Sequence, residues 1–435
     1  MSFELLPQEI IEEFRLNLPD VVALQRVSRS MYDLIKERSP RIFSLVTFVR
    51  GMEPWIHLLT NVKLEGLENL SLFARVHTLD ISCMYLEDCS LLGRNHTLDL
   101  SFTNIKDVSH LGNVHTLNLS CTCVKDVSHL GEVHTLNLCK TTVKDVSALG
   151  RVHTLNLAWT LVEDFSHLGR NHTLDLSFTN IKDVSHLGRL HTLKLSYTSV
   201  EDVCDLGQIH TLDLSWTNVK DVSALGKVHT LNLSDTPVKD VSALGNVHTL
   251  CLRRTKVKDV SALGKIHTLD LSYNNVEDVS ALGKVHTLSL CGTSVKDVSA
   301  LGDVHTLDLT KTEIKDVSAL GRVHTLNLTF TKVIDVSALG QVHTLDLSNT
   351  PVKDVSALGR VHTLLLSHTQ VEDVSCLGGV HTLVLAFTRV KIFQLLVVFT
   401  RSISMVLILK ILPVMNLHTS TFKMNIKVLR YTQYR

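Results

Sequence analysis

His343-Thr344-Leu345-Asp346-Leu347-Ser348-Asn349-Thr350-Pro351-Val352-Lys353-Asp354-Val355-Ser356-Ala357-Leu358-Gly359-Arg360-Val361 is one unit of a pattern that returns every 19 residues. Its His-Thr-Leu head stands first at His77 and last at His381, so 17 units follow one another without insertion or deletion. Strict self-similarity at a short fixed period marks a solenoid, in which each unit leans on its neighbours and cannot bury its apolar face alone. Such folds serve mainly as binding surfaces and seldom do chemistry.

With the histidine as position 0, the apolar residues fall at positions 2, 4, 9, 12, 15 and 18: Leu345, Leu347, Val352, Val355, Leu358 and Val361 in the quoted unit. Alternation at positions 2 and 4 predicts a short strand with one buried face. The later spacing of three suits a tight helical turn, which puts residues i and i+3 on one side. This pattern resembles the leucine-rich repeat, L-x-x-L-x-L followed by a polar residue and a second apolar set. The resemblance covers residues 69–390. It implies parallel β-strands on a concave face, with turns or short 3-10 helical turns on a convex face.

Two features depart from that family. The period of 19 is short, which implies a thin convex side, and threonine takes position 7, where only Asn274 keeps the usual asparagine. A polar side chain there is expected to bond the loop backbone of the adjacent unit. Position 11 is aspartate in sixteen units, from Asp88 to Asp373, with serine usually at position 13. This pair is expected to cap the N–H groups of the convex turn. A calcium-binding ladder would need a denser Gly-Asp pattern.

The seventeen histidines in register sit where the chain enters the strand and are expected to point outward or into the bend. No carboxylate or thiol recurs with them at ligand spacing, so hydrogen bonding is a better reading than metal binding. No metal and no cofactor is implied. Every candidate acid, base or nucleophile is repeated, whereas an active site needs a unique constellation, so an enzyme is not expected. Lys plus Arg equals Asp plus Glu at 43 each, which argues against a nucleic-acid partner. The nine cysteines follow no metal-ligand spacing and read as free thiols of a reducing compartment. The N-terminus lacks a signal pattern, so a cytoplasmic or nuclear protein is expected.

Function in a repeat array must come from positions that break the pattern. Position 3 is mostly Asp or Asn, with Lys194, Cys251, Ser289, Leu365 and Val384 as exceptions. Position 6, at the strand exit, carries Phe102, Trp159, Phe178, Tyr197, Trp216, Tyr273, Phe330 and Phe387. Eight of 17 slots is a strong enrichment in a chain with 22 aromatic residues, and residues 159, 178, 197 and 216 occupy consecutive units. Aromatics of this kind are favoured protein-binding anchors, although they could also simply cover the edge of the core.

Residues 5–36 contain no repeat. Pro7 and Pro19 each stand where a short helix could begin, with apolar residues at helical spacing after both. Leu6-Pro7 with Glu9-Ile10-Ile11, then Leu18-Pro19, Leu24, Val27-Ser28-Arg29 and Leu34-Ile35, resembles an F-box. The resemblance implies a small all-α module over residues 1–40 that docks on the adaptor of a cullin–RING ubiquitin ligase. Leu6, Pro7, Ile10, Leu18, Pro19, Val27 and Met31 would form its contact surface. Met31 departs from the family, which commonly has tryptophan there. The plainer alternative is a helical cap on the solenoid's open end.

Residues 41–75 read as a transition with a degenerate cap repeat, residues 76–391 as the solenoid, and residues 392–435 as an out-of-frame tail. Back-translating a unit that has isoleucine at position 12 and reading it one nucleotide late reproduces Lys391 to Ile403, so the tail resembles an eighteenth unit in a shifted frame. It is interrupted by Arg401 and Lys410 and does not read as a membrane span. The near-identity of the units points to recent duplication, as in the repeat families of large DNA viruses. An F-box before such repeats suggests a substrate receptor of a ubiquitin ligase. A leucine-rich repeat scaffold with no ligase link is the alternative.

Overall fold

The computed structural model describes residues 46–48, 61–64, 70–74, 76–86, 88–390 and 406–408, the first two and the last of these segments as backbone only. The F-box calls at Leu6, Pro7, Ile10, Leu18, Pro19, Val27 and Met31 lie outside the described residues. The chain divides into two compact units, Met1–Ser199 and Val200–Arg435.

In the first unit, nine short strands pair in parallel, each with the next: β1 (Val46–Phe48), β2 (Asn61–Leu64), β3 (Thr78–Asp80), β4 (Thr97–Asp99), β5 (Thr116–Asn118), β6 (Thr135–Asn137), β7 (Thr154–Asn156), β8 (Thr173–Asp175) and β9 (Thr192–Lys194). From β3 onward the register is one repeat: Leu79 opposite Leu98, Leu98 opposite Leu117. The second unit runs from β10 (Thr211–Asp213) through β19 (Thr382–Val384) in the same register, and adds β20 (Val406–Ile408). β20 pairs Val406 with Thr382, an offset of 24 in place of the 19 that separates the repeat strands.

Strands such as Thr344–Asp346 alternate half-buried, buried, half-buried, as a one-sided sheet must, and in Thr192–Lys194 the last residue is exposed. All six apolar positions of the unit point into one core. Leu345, Leu347, Val352, Val355, Leu358 and Val361 are each at most 2% exposed, and each such side chain contributes about 1.5–3 kcal/mol of burial. On the opposite side of most units lies a one-turn 3-10 helix such as Ser356–Leu358, closed by Leu358 N–H to Val355 O (3.0 Å) and Val361 N–H to Leu358 O (3.1 Å). Among the described residues there is no α-helix. With 19 residues per turn, one strand and one 3-10 turn already use the length available.

The polar positions close the turns. Asp354 Oδ1 accepts from Ser356 N–H at 2.9 Å, and the same bond recurs along the row, as at Asp107–Ser109 and Asp297–Ser299. That N–H, helped by the serine side chain, holds each of these carboxyls below the usual range. The threonine row behaves differently from expectation. Thr350 Oγ1 donates to Leu347 O of its own unit at 2.6 Å, three residues back, and Thr103, Thr217 and Thr331 do likewise. Thr255 Oγ1 also donates across the units, to Asn274 Oδ1 of the next one at 3.1 Å. Asn274 reaches back to the same preceding unit, its Nδ2 donating to Leu252 O at 2.7 Å.

Glycine at position 16 has a different reason from turn conformation. A Cβ at Gly264 would lie 2.3 Å from Ala281 O of the next turn, so the 3-10 turns stack only over a residue without a side chain.

Candidate functional site

Position 6 is where the backbone leaves the strand, and the chain there is left-handed in every unit. φ lies between 54° and 62° in sixteen non-glycine residues, and Gly292 adopts 64°. Such a conformation costs about 1–2 kcal/mol for a residue with a side chain. It persists because the N–H at this position is spent on the next unit, as in Trp159 N–H to Ser177 O (3.0 Å) and Phe102 N–H to Ser120 O (2.9 Å). The threonine that follows is clamped to the strand's own leucine carbonyl, as at Thr160 Oγ1 to Leu157 O (2.7 Å). The backbone is therefore fixed by its neighbours, and the side chain is left outside the core.

The aromatic row occupies these turns. Phe102, Trp159, Tyr197, Trp216, Tyr273, Phe330 and Phe387 are exposed, Phe102 and Trp159 by 61% and 51%, while Phe178 is half-buried. In the first unit three rings form a continuous stack: Trp159 on Phe178 at 4.1 Å between centroids, and Phe178 on Tyr197 at 4.4 Å. Lys140 sits over the outer face of Trp159 at 5.6 Å. Trp216, the fourth residue of the sequence-level stripe, lies in the second unit. There Tyr273 stands beside two cations, Arg253 at 5.1 Å and Arg254 at 5.3 Å, and Arg254 also pairs with Asp235 (4.0 Å). Phe387 stacks on His368 at 4.4 Å. Phe102 has cysteine neighbours along its row, Cys83 and Cys121, and no aromatic one.

The exposed rings stand at the rim of a core built of leucines and valines, with roughly half their surface in water. In the Trp159–Phe178–Tyr197 stack the ring faces are turned to one another. Arg253 and Arg254 escaped the sequence reading, although the unit from His248 breaks the pattern at positions 3, 5 and 6 together.

The histidines form a second feature. In the first unit His77 to His191 stack ring on ring at 4.4–4.5 Å, tilted by 10–15°. In the second unit His210 to His381 do so at 4.5–4.7 Å. They are exposed, and each Nδ1 lies 3.2–3.3 Å from the hydroxyl of the following threonine. Desolvation, then the imidazoles on either side, holds His96, His153, His229, His286, His324 and His362 below the ordinary histidine pKa. Among the described residues no group of three or more His, Cys, Asp or Glu is placed to hold a metal ion. All nine cysteines are free, and burial pushes the Cys89 thiol up to about 12, which makes it inert.

Parallel strands at a fixed 19-residue offset, six leucine and valine rows and a turn of 3-10 geometry decide the architecture. The fold is a leucine-rich repeat solenoid. The Leucine Rich repeat family model matches residues 265–282. No curated protein matches the chain. Among solved structures, a leucine-rich repeat protein of Leptospira interrogans is similar at 16% identity and a TM-score of 0.57, covering 79% of this chain and 99% of that one. The TLR13–ssRNA13 complex is similar at 16% identity and a TM-score of 0.53, with 80% and 69% covered. The functional domain of InlJ from Listeria monocytogenes aligns at 20% identity and a TM-score of 0.49, with 72% and 75% covered. Among the described residues no helix is long and apolar enough to cross a membrane.

Proposed function

We propose that this leucine-rich repeat solenoid is a non-enzymatic protein-interaction receptor, and that the position-6 aromatics of each unit are its docking anchors. One observation carries the reading: the leucine and valine rows at positions 2, 4, 9, 12, 15 and 18 are buried, whereas Trp159, Tyr197, Trp216 and Phe330 stand exposed on turns whose backbone the neighbouring units lock. Large aromatic side chains on a rigid frame bind at low entropic cost, which is the usual chemistry of interface anchors. Protein is the partner class such anchors favour; membrane and nucleic acid are not part of the reading.

The fuller form of the proposal is an intracellular F-box substrate receptor: residues 1–40 engage the adaptor of a cullin–RING ligase through Leu6, Pro7, Ile10, Leu18, Pro19, Val27 and Met31, while the repeats hold the substrate. Only the sequence resemblance supports this part. Affinity purification of the full chain from its native cell tests both levels. Adaptor and cullin should co-purify, and changing Leu6, Pro7 and Leu18 to Ala should lose them while keeping the repeat-bound partner. A partner without adaptor or cullin would favour the scaffold alone, and Met31→Trp then separates a decayed F-box, rescued by the change, from a superficial likeness.

A further inference from the structure

The second unit carries a charged edge that the aromatic row does not use. Between Gly359 or its equivalents and the strand, the chain is extended: the valine before His381, Val380, has φ −74° and ψ 130°. In extended backbone, residues i and i+2 project to the same side. The buried residue at position 18 therefore points inward, while position 17 and the next histidine point outward together. Position 17 holds Lys227, Lys265, Lys284, Arg322 and Arg360, all exposed, against one acid, Asp303, which Arg322 pairs at 3.2 Å.

Beside these cations, His229 to His381 form a stack at 4.5–4.7 Å spacing. Nδ1 faces the threonine hydroxyl, at 3.2 Å in His267 and 3.3 Å in His324, which turns the Nε2 edge towards solvent. When the hydroxyl donates to Nδ1, the neutral ring carries its hydrogen on Nε2, and the row presents one N–H donor per repeat. Protonation adds charge to the same row.

The other charged groups near this row are few. Each imidazole from His229 to His362 has imidazoles above and below it, and His381 ends the described row. Along the strand beyond the threonines stand Asp270, Asp308 and Asp346, each already accepting from a backbone N–H two residues on: Ser272 (2.8 Å), Thr310 (3.0 Å) and Ser348 (2.8 Å). The sixteen aspartates of position 11 lie at the 3-10 turns. The chain is neutral overall, so this edge is basic by sorting of charge and not by excess of it.

We propose that the edge formed by His229–His381 with Lys227, Lys265, Lys284, Arg322 and Arg360 docks an extended acidic protein segment, more tightly as the medium becomes mildly acidic. A narrow row of donors flanked by cations matches carboxylates spread along an unfolded chain. Single-stranded nucleic acid fits less well, because it binds largely by stacking bases on aromatic faces, and here the imidazole faces are used by one another. A wide polyanion would also meet the Asp270, Asp308 and Asp346 carboxylates. Linkage gives the pH response: a bound carboxylate favours the charged imidazole, so binding takes up protons and strengthens as pH falls. This edge is separate from the aromatic row, so either can fail without the other.

The test is fluorescence anisotropy of a labelled decaglutamate peptide with the full chain at pH 7.5 and 6.0, with a thermal melt at each pH to establish that the chain is folded. Affinity should rise roughly tenfold or more over that interval and fall as salt is added. Changing Lys265, Lys284 and Arg322 to Gln should weaken binding at both pH values. Changing His267, His286, His305 and His324 to Gln takes four imidazoles out of the edge, so it should weaken binding at pH 7.5 and remove the rise on going to pH 6.0. Equal affinity at the two pH values, or a rise that survives the histidine changes in a folded protein, overturns the proposal. So does oligothymidylate binding more tightly than the peptide, which would make the edge a nucleic-acid surface. If the histidine variant fails to fold, the wild-type pH comparison and the Lys/Arg variant still decide the matter.

Discussion

Two asparagines stand in a row built for valine, and replacing them should stabilise the first unit. Asn95 and Asn171 occupy position 18, where other units have Val152, Leu190 or Ile209. Both are buried, at 1% and 3% exposure. Asn171 Nδ2 donates to Val152 O and to Leu149 O (3.0 Å), and Asn95 Nδ2 to Val76 O and to Phe73 O (3.0 Å). Both Oδ1 atoms are buried without a hydrogen-bond partner. An orphaned buried acceptor costs about 1–3 kcal/mol, and a valine adds about 1 kcal/mol of apolar burial in the same slot. Against this, two N–H···O bonds worth about 0.5–1.5 kcal/mol each are lost. The balance is a gain of about 1 kcal/mol per site.

The two sites lie four repeats apart and share no partner, so their effects should add. The Asn95→Val, Asn171→Val double variant should gain about 2 kcal/mol, or roughly 4–8 °C for a unit of this size. Thermal unfolding followed by circular dichroism reads it directly. A midpoint below that of the starting protein refutes the reasoning, because the amide bonds would then outweigh the unpaired oxygen.

Gly264→Ala should destabilise the second unit by about 1–3 kcal/mol in urea unfolding, because its Cβ would meet Ala281 O at 2.3 Å; an unchanged midpoint would mean the turns stack loosely. Mild acid should weaken the solenoid. The folded pKa of His96, His153, His229, His286, His324 and His362 is depressed, so the unfolded chain takes up protons first. Their contribution is whole above the unfolded value of about 6.5 and is lost as pH falls below it. The unfolding midpoint should therefore drop between pH 7.5 and 5.5, and a flat profile would count against repulsion within the stack.

The repeat made the core fully legible. Positions 2, 4, 9, 12, 15 and 18 were readable because burial repeats with the period, and the Asp354–Ser356 cap because Asp and Ser have a known local habit in turns. What escaped depends on distances between units. Thr350 looked like a bridge to its neighbour, yet its hydroxyl reaches only Leu347 O. Nothing near Gly264 in the sequence announces that Ala281 O, in the next repeat, lies against it. The left-handed turn at position 6 had a faint signal in Asp235, Gly292 and Asn349, residues that tolerate positive φ, but Trp159 and Phe330 beside them masked it. Position 6 could be recognised as variable and aromatic; that its backbone is locked while its side chain stands free required the structure.

The most direct test of the receptor reading is quantitative recovery of the native protein partner by the full chain and by Trp159→Ala, Trp216→Ala, with circular dichroism on both. Truncating two anchors should cost about 2 kcal/mol or more of binding if they are hot spots. Both side chains are half exposed, at 51% and 46%, so the melting midpoint should move far less than the affinity. Loss of the partner from a folded double variant is the result the account predicts. A folded variant that recovers the partner at the starting affinity would contradict it and place the docking face elsewhere on the repeats.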